Sequence, residues 1–208
     1  MRTRIKFCGI TREADAGAAV AAGADAIGLV LAPESPRFIE PARAAIIRGR
    51  LPPFVQAVTV FRNADAAAVQ AAIKAVRPDL LQFHGEETPK FCASFGVPYL
   101  RAVPMKQIAD VVEWVQRYVT AVALLLDSHA PGEQGGQGKA FDWSSVPAKS
   151  GKPLVLAGGL TPDNVAEALR RVRPYAVDVA TGVESAPGVK DARKMQRFAD
   201  EVRRADAA

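Results

Sequence analysis

Two glycine turns, a cysteine, an aspartate and an arginine stand where apolar runs of this sequence end. Their types are those of a site that holds an anion and moves a proton. Gly158-Gly159 follow the run 154–156, and Thr181-Gly182 follow the run 176–179. Turns without side chains let backbone N–H groups approach an anion, and a helix start behind them adds favourable dipole charge. Taken singly, each pair is equally a tight strand-to-helix turn; on adjacent strands the two together favour a phosphate. Cys8 closes the run 4–8. A lone strand cysteine is ordinarily a small buried hydrophobe, and its thiolate is a base only where something lowers its pKa; Lys6 is the candidate for that in sequence. Asp127 ends the apolar run 122–126, where low dielectric raises a carboxyl pKa and suits a general acid; the alternative is a turn role before Ser128. Arg37, after Ser35-Pro36, is either a fork for a carboxylate or a surface arginine. His84 and His129 are the only histidines, and His84 either orients a ligand or caps a turn. No close cluster of His, Cys and acidic ligands accompanies them, so no metal site is expected.

The elements that must position these residues repeat. Runs suited to strands fall at 4–8, 26–31, 55–61, 80–83, 99–103, 121–126, 154–156 and 176–179. Helical periodicity fills 11–22, 41–48, 64–76, 89–95, 107–118, 162–172 and 191–203, with a short turn at 141–146. Thr161 before Pro162 and Asn63 before the third helix read as N-caps. Strands about 25 residues apart, each with a short crossover, suit either a closed parallel barrel or a doubly wound sheet. The eight-unit count and the lack of Gly-x-Gly-x-x-Gly after the first strand favour a single-domain α/β fold, the (β/α)8 TIM barrel, over residues 1–208. In such a barrel function gathers where strands end. Cys8, Arg37, His84, Asp127 and both glycine turns all follow strand candidates, and strands one and six lie three steps apart around the ring. The only flexible-looking segment is 130–138.

Composition narrows the class. The chain's 27 Lys and Arg against 22 Asp and Glu leave +5 over 208 residues, scattered rather than clustered, which argues for a solvated surface and against a nucleic-acid partner. Two cysteines build no disulfide framework, the first residues lack a signal-peptide core, and the run 121–126 is too short to span a bilayer. A cytoplasmic protein without a membrane partner is expected.

At this point a fuller pattern is visible. Lys6-Phe7-Cys8-Gly9-Ile10-Thr11, Ser35-Pro36-Arg37, Gln82-Phe83-His84-Gly85, Leu125-Leu126-Asp127-Ser128, Gly135-Gly136-Gln137-Gly138-Lys139, Phe141-Asp142-Trp143, Leu156-Ala157-Gly158-Gly159-Leu160 and Gly182-Val183-Glu184 with Pro187-Gly188-Val189-Lys190-Asp191 occur in this order. Together they resemble the phosphoribosylanthranilate isomerase family of tryptophan biosynthesis over nearly the whole chain. The resemblance implies Cys8 as general base, Asp127 as general acid and Arg37 on the anthranilate carboxylate. It also implies His84 and Asp178 on the substrate, with Gly138, Gly158, Gly159, Thr181 and Gly182 around the phosphate. Ala180-Thr181 stand where family members commonly carry two serines, and Gln137 where they carry a threonine.

The implied reaction is an Amadori rearrangement of N-(5-phosphoribosyl)anthranilate to 1-(2-carboxyphenylamino)-1-deoxyribulose 5-phosphate. It is an internal redox isomerisation that requires no cofactor. The implied partner is this small phosphosugar, and the chain is expected as a monomer or homodimer. The aminoaldose isomerase of histidine biosynthesis resembles a two-aspartate system, and Cys8 occupies the place of one aspartate. A metal-dependent epimerase would need more histidines than two. A non-catalytic phosphate sensor would not keep both Cys8 and Asp127.

Overall fold

A computed structural model describes residues 2–106, 110–129 and 141–208. Eight parallel strands close into one barrel in chain order: β1 Arg4–Cys8, β2 Ala26–Val30, β3 Gln56–Phe61, β4 Leu80–Phe83, β5 Tyr99–Pro104, β6 Ala123–Asp127, β7 Leu154–Leu156 and β8 Ala176–Val179. The ring shuts where Lys6 of β1 lies opposite Asp178 of β8. Seven helices occupy the crossovers and the end of the described chain: α1 Glu13–Ala22, α2 Pro41–Arg48, α3 Ala66–Val76, α4 Pro89–Ala93, α5 Val111–Arg117, α6 Val165–Val172 and α7 Ala192–Asp206. Between β6 and β7 the described residues form a 3-10 turn at Trp143–Ser145. After β8 comes a short hairpin, β9 Glu184–Ala186 with β10 Val189–Lys190.

Strand alternation divides the core in two. Ile5, Phe7, Ile27, Leu29, Leu124, Leu126 and Val177 face outward and are sealed by helix residues such as Ala19, Ile47, Val69, Val165 and Phe198. Phe7 meets Phe198 of α7 edge to face at 6.1 Å between centroids. The inward positions carry a second cluster that includes Val58, Leu100, Ala102, Leu125, Val155 and Ala176. This filling makes the barrel a packed interior rather than a pore. Toward the C-terminal ends of the strands the inward positions Cys8, Gln82, Asp127 and Asp178 bring polar groups to the barrel mouth.

The first helix begins at Glu13 rather than 11, and both expected N-caps act differently from the sequence reading. The side chain of Asp65, not Asn63, caps α3 by accepting from the N–H of Ala68 at 2.7 Å. Asn63 takes a left-handed φ of 52° and turns its amide oxygen to the Glu86 N–H, bracing the loop after β3 against the loop after β4. Thr161 does accept from the Asp163 N–H at 3.2 Å, but residues 162–164 form a turn and the α-helix begins at Val165 after Asn164. The expected start of the fifth helix at 107 lies outside the described residues, as does the segment 130–138.

Candidate active site at the C-terminal ends of the strands

A solvent-open cavity of about 820 Å³ sits at the mouth of the barrel. Cys8, Arg37, His84, Asp127, Gly158, Gly159, Asp178, Thr181 and Gly182 all line it, so the candidates spread over 175 residues of sequence meet in one place. Gly138 lies outside the described residues. The physical reason is parity. Lys6 and Cys8, Gln82 and His84, and Asp178 and Ala180 are pairs two apart, and in a strand such pairs share a face. Cys8 enters from β1 and Asp127 from β6, three strands apart around the ring.

The thiol is tightly seated. A Cβ added to Gly28 on the neighbouring strand would lie 2.5 Å from the Cys8 sulfur, so a side chain there would evict it. Lys6 does face inward beneath Cys8, but its ammonium donates to Asp178 Oδ1 at 2.9 Å and both groups are buried. Burial pushes the Cys8 thiol above its ordinary value and the Asp178 charge adds to that, while Lys6 and Lys190 oppose. Lys6, the sequence candidate for lowering the thiol, does act in that direction, but desolvation and the Asp178 charge outweigh it.

Asp127 reverses the other expectation. Burial pushes its carboxyl up, as the apolar run suggested, but His129 and His84 together outweigh that and hold it well below the usual carboxylate range. His84 Nε2 lies 3.2 Å from Oδ2 and His129 Nδ1 lies 3.9 Å from Oδ1. The rings stand side by side with centroids 4.7 Å apart. His129 had no assigned role in the sequence reading. Its signal was available, because it lies two residues after Asp127 and so returns to the same face.

Arg37 is not a surface arginine. Its Nε and Nη2 donate to the two carboxylate oxygens of Glu184, each at 2.8 Å, and Nη2 also donates to the Thr181 hydroxyl at 3.0 Å. One edge of the expected carboxylate fork is thus occupied within the protein, which leaves Nη1 as the atom for a ligand. Lys190 Nζ donates to Glu184 Oε1 at 2.9 Å and to the Ala180 carbonyl at 3.1 Å, with its side chain fully buried. Glu184 and Lys190 stood in recognised motifs without an assigned role. Reading residues 184–190 as a hairpin around Pro187-Gly188 would have placed them opposite one another, as the register does.

The glycine turns need their lack of side chains. Gly158 and Gly159 have φ of 75° and 68°, in the left-handed region, and a Cβ on Gly158 would lie 2.5 Å from the Ser128 nitrogen. A Cβ on Gly182 would collide with the Leu160 carbonyl oxygen, so the turns after β7 and β8 are in direct contact. The expected helix behind Thr181-Gly182 is instead a 3-10 turn, Thr181–Val183, because the chain runs on into the hairpin before α7. Gly182→Ala is expected to cost about 1–3 kcal/mol, the usual penalty of overpacking, measured as a lower urea midpoint. An unchanged midpoint would show that this contact yields freely.

Among the described residues, His84, Asp127 and His129 also correct the expectation that no ligand cluster exists, since one donor atom from each lies within 4.8 Å of the others. No described helix is long and apolar enough to cross a membrane.

Residues 5–201 match the family described as N-(5'phosphoribosyl)anthranilate (PRA) isomerase. An N-(5'-phosphoribosyl)anthranilate isomerase of Nitrosococcus oceani is 52% identical over 198 residues, covering 95% of this chain and 96% of the relative. The crystal structure of phosphoribosyl anthranilate isomerase from Thermus thermophilus superposes with a TM-score of 0.87 at 40% identity, over 97% of this chain and 99% of that one. A further phosphoribosyl anthranilate isomerase structure, in complex with reduced 1-(o-carboxyphenylamino)-1-deoxyribulose 5-phosphate, has a TM-score of 0.79 at 33% identity over 97% of this chain and 98% of that one. With matches across nearly its whole length and a barrel of the same architecture, the chain belongs to the N-(5'-phosphoribosyl)anthranilate isomerase family.

Proposed function

We propose that residues 1–208 form one catalytic domain that rearranges N-(5-phosphoribosyl)anthranilate to 1-(2-carboxyphenylamino)-1-deoxyribulose 5-phosphate, with Asp127 as general acid and Cys8 as general base. The observation that carries this reading is the placement of Cys8 and Asp127, on strands three steps apart, in one cavity that Arg37 and both glycine turns also line. Protonated Asp127 gives its proton to the furanose ring oxygen, and the C1–O bond breaks to leave an iminium ion. That cation acidifies the proton on carbon two. The Cys8 thiolate removes it, and the electron pair of the C–H bond neutralises the iminium as an enolamine, which tautomerises to the ketone. Backbone N–H groups of Gly158, Gly159, Thr181 and Gly182, with Gly138, hold the phosphate at one end. Arg37 Nη1 meets the anthranilate carboxylate at the other, and His84 and Asp178 orient the sugar between them. Fixing both ends places carbon two between base and acid.

The reaction needs Cys8 as thiolate and Asp127 as acid, whereas burial favours the thiol and the histidines favour the carboxylate. Both arrangements carry one proton on the pair, so between the two pKa values the productive fraction does not change with pH. We therefore expect kcat/KM to be flat through neutrality. Its alkaline limb should lie above the ordinary thiol value of 9.0, and its acid limb below the ordinary carboxylate value of 3.8. A limb near pH 7 in free enzyme would reject this protonation scheme.

The direct test uses the fluorescent anthranilate adduct, formed in situ from anthranilate and a phosphoribosyl donor and followed as its fluorescence is lost on adding purified protein. No turnover above the spontaneous rate would overturn the assignment. This reading takes the chain to work in the cytoplasm as a monomer or homodimer, and sedimentation equilibrium reads the oligomeric state directly.

A further inference from the structure

We propose that His84, Asp127 and His129 form a binding site for a divalent transition cation of the zinc class, and that a cation bound there switches the isomerase off. His84 follows β4, Asp127 ends β6, and His129 returns to the same face two residues later. The two imidazoles flank one carboxylate, with Nε2 to Oδ2 at 3.2 Å and Nδ1 to Oδ1 at 3.9 Å. Neither contact has hydrogen-bond geometry: among the described residues, His84 Nε2 and His129 Nδ1 are both buried without a hydrogen-bond partner. His129 is 6% exposed, so water does not supply one freely. Two buried ring nitrogens without partners, converging on a carboxylate, form a donor set without its acceptor.

The surroundings favour the lone-pair form of one ring. Gln82 places its amide 3.0 Å from His84 Nδ1, and the Gln82 Oε1 atom is itself buried without a partner. A half-turn of that amide brings Oε1 to accept from Nδ1–H. This satisfies the oxygen, fixes the tautomer and leaves a lone pair on Nε2, as outer-shell carbonyls do for metal-bound histidines.

Two imidazoles and one carboxylate suit zinc and similar borderline cations, not magnesium or calcium, which take mostly oxygen ligands. Zinc–ligand bonds of about 2.0–2.2 Å in a tetrahedron put neighbouring donors about 3.3–3.6 Å apart. The His84–Asp127 pair is already close to that spacing, and movement of the His129 ring closes the two remaining sides, which lie within 4.8 Å. His84 and Asp127 line the central cavity, whereas His84 and His129 line the adjoining cleft, so the site lies on the wall between two openings. The fourth position is left for water.

A cation held by Asp127 displaces the proton that the carboxyl must donate. This inhibitory clause rests on the acid role proposed for Asp127. The cation is therefore an inhibitor competing with protonation, and turnover does not depend on it.

The test titrates Co2+ into the chelator-stripped full-length protein and reads its visible absorption, which needs no turnover. We expect saturation at one Co2+ per chain, with displacement by Zn2+. His129→Gln and His84→Gln should each weaken Co2+ binding at least tenfold, and Gln82→Leu roughly ten- to a hundredfold, the usual effect of removing an outer-shell partner. Cys8→Ser should leave the spectrum and the affinity unchanged. Absence of a saturable one-to-one complex, affinity unchanged in both histidine variants, or loss of binding in Cys8→Ser alone would overturn the site. In the adduct assay, Zn2+ should inhibit the native chain at concentrations that leave His129→Gln running at its own rate. Binding without inhibition of an active enzyme would overturn the inhibitory clause alone, and a protein that binds Co2+ but never consumes the adduct would overturn the proposed function while leaving the site standing.

Discussion

Cys8→Ala and Asp127→Asn are each expected to lower kcat by about two to four orders of magnitude, the span usual for a lost acid or base. Neither change touches the groups at the ends of the substrate, so KM should stay within about threefold of the native value, as expected when an interaction made only in the transition state is removed. Cys8→Ala deletes one sulfur from a seat against Gly28 and should fold normally. Asp127→Asn keeps shape but can neither donate the proton nor hold the charge that faces His84 and His129. Cys92→Ala is the control. That thiol is wholly buried and pushed up to about 12, chiefly by desolvation, and it lies in the core cluster between sheet and helices. Its replacement should leave kcat unchanged. Near-native turnover in either Cys8→Ala or Asp127→Asn would reject the assignment of that residue.

Glu184→Ala is expected to lower folding stability by about 3–5 kcal/mol, the cost of removing one partner from a buried ion pair. Its carboxylate is the shared acceptor of Arg37 and Lys190, and all three side chains are at most 10% exposed. Without it two buried cations face each other. Arg37 also loses the contact that aims it, so KM should rise along with the stability loss. The acid limb of stability supplies a second readout. Burial raises the Glu184 carboxyl, but Arg37 and Lys190 prevail and hold it below the ordinary 4.5. A lowered folded value stabilises fully above the unfolded value and is lost as pH falls through the folded one. The native chain should therefore lose stability below about pH 4.5 more steeply than Glu184→Ala. Urea midpoints at pH 7 and pH 4 measure both effects, and a variant as stable as the native chain would mean that the hairpin relaxes to solvate its cations.

Much of this molecule is written in short-range pattern. The strand runs at 4–8, 80–83, 154–156 and 176–179 agree with β1, β4, β7 and β8, and 41–48 with α2, because strand and helix periods are local properties of a few residues. The eight alternating units and the polar residues at strand ends suffice to place the cavity at the mouth of the barrel. Helix starts were less legible: Asp65 takes the cap expected of Asn63 because Asn63 is drawn to Glu86, a partner 23 residues away.

What the sequence determined by itself was therefore the architecture, the face on which Cys8, His84 and Asp127 lie, and their gathering at one end. What only the tertiary structure decided was which charges pair and what that does to protonation. Lys6 meets Asp178 across 172 residues and Arg37 meets Glu184 across 147, contacts that exist only once β8 closes against β1. The same closure pairs Lys6 with Asp178, whose charge works against the thiolate that Lys6 favours, and the approach of the loop after β4 to the end of β6 adds His84 to the His129 that already stands two residues from Asp127. A pKa depends on burial and on neighbours in space, and neither is a property of a residue's place along the chain.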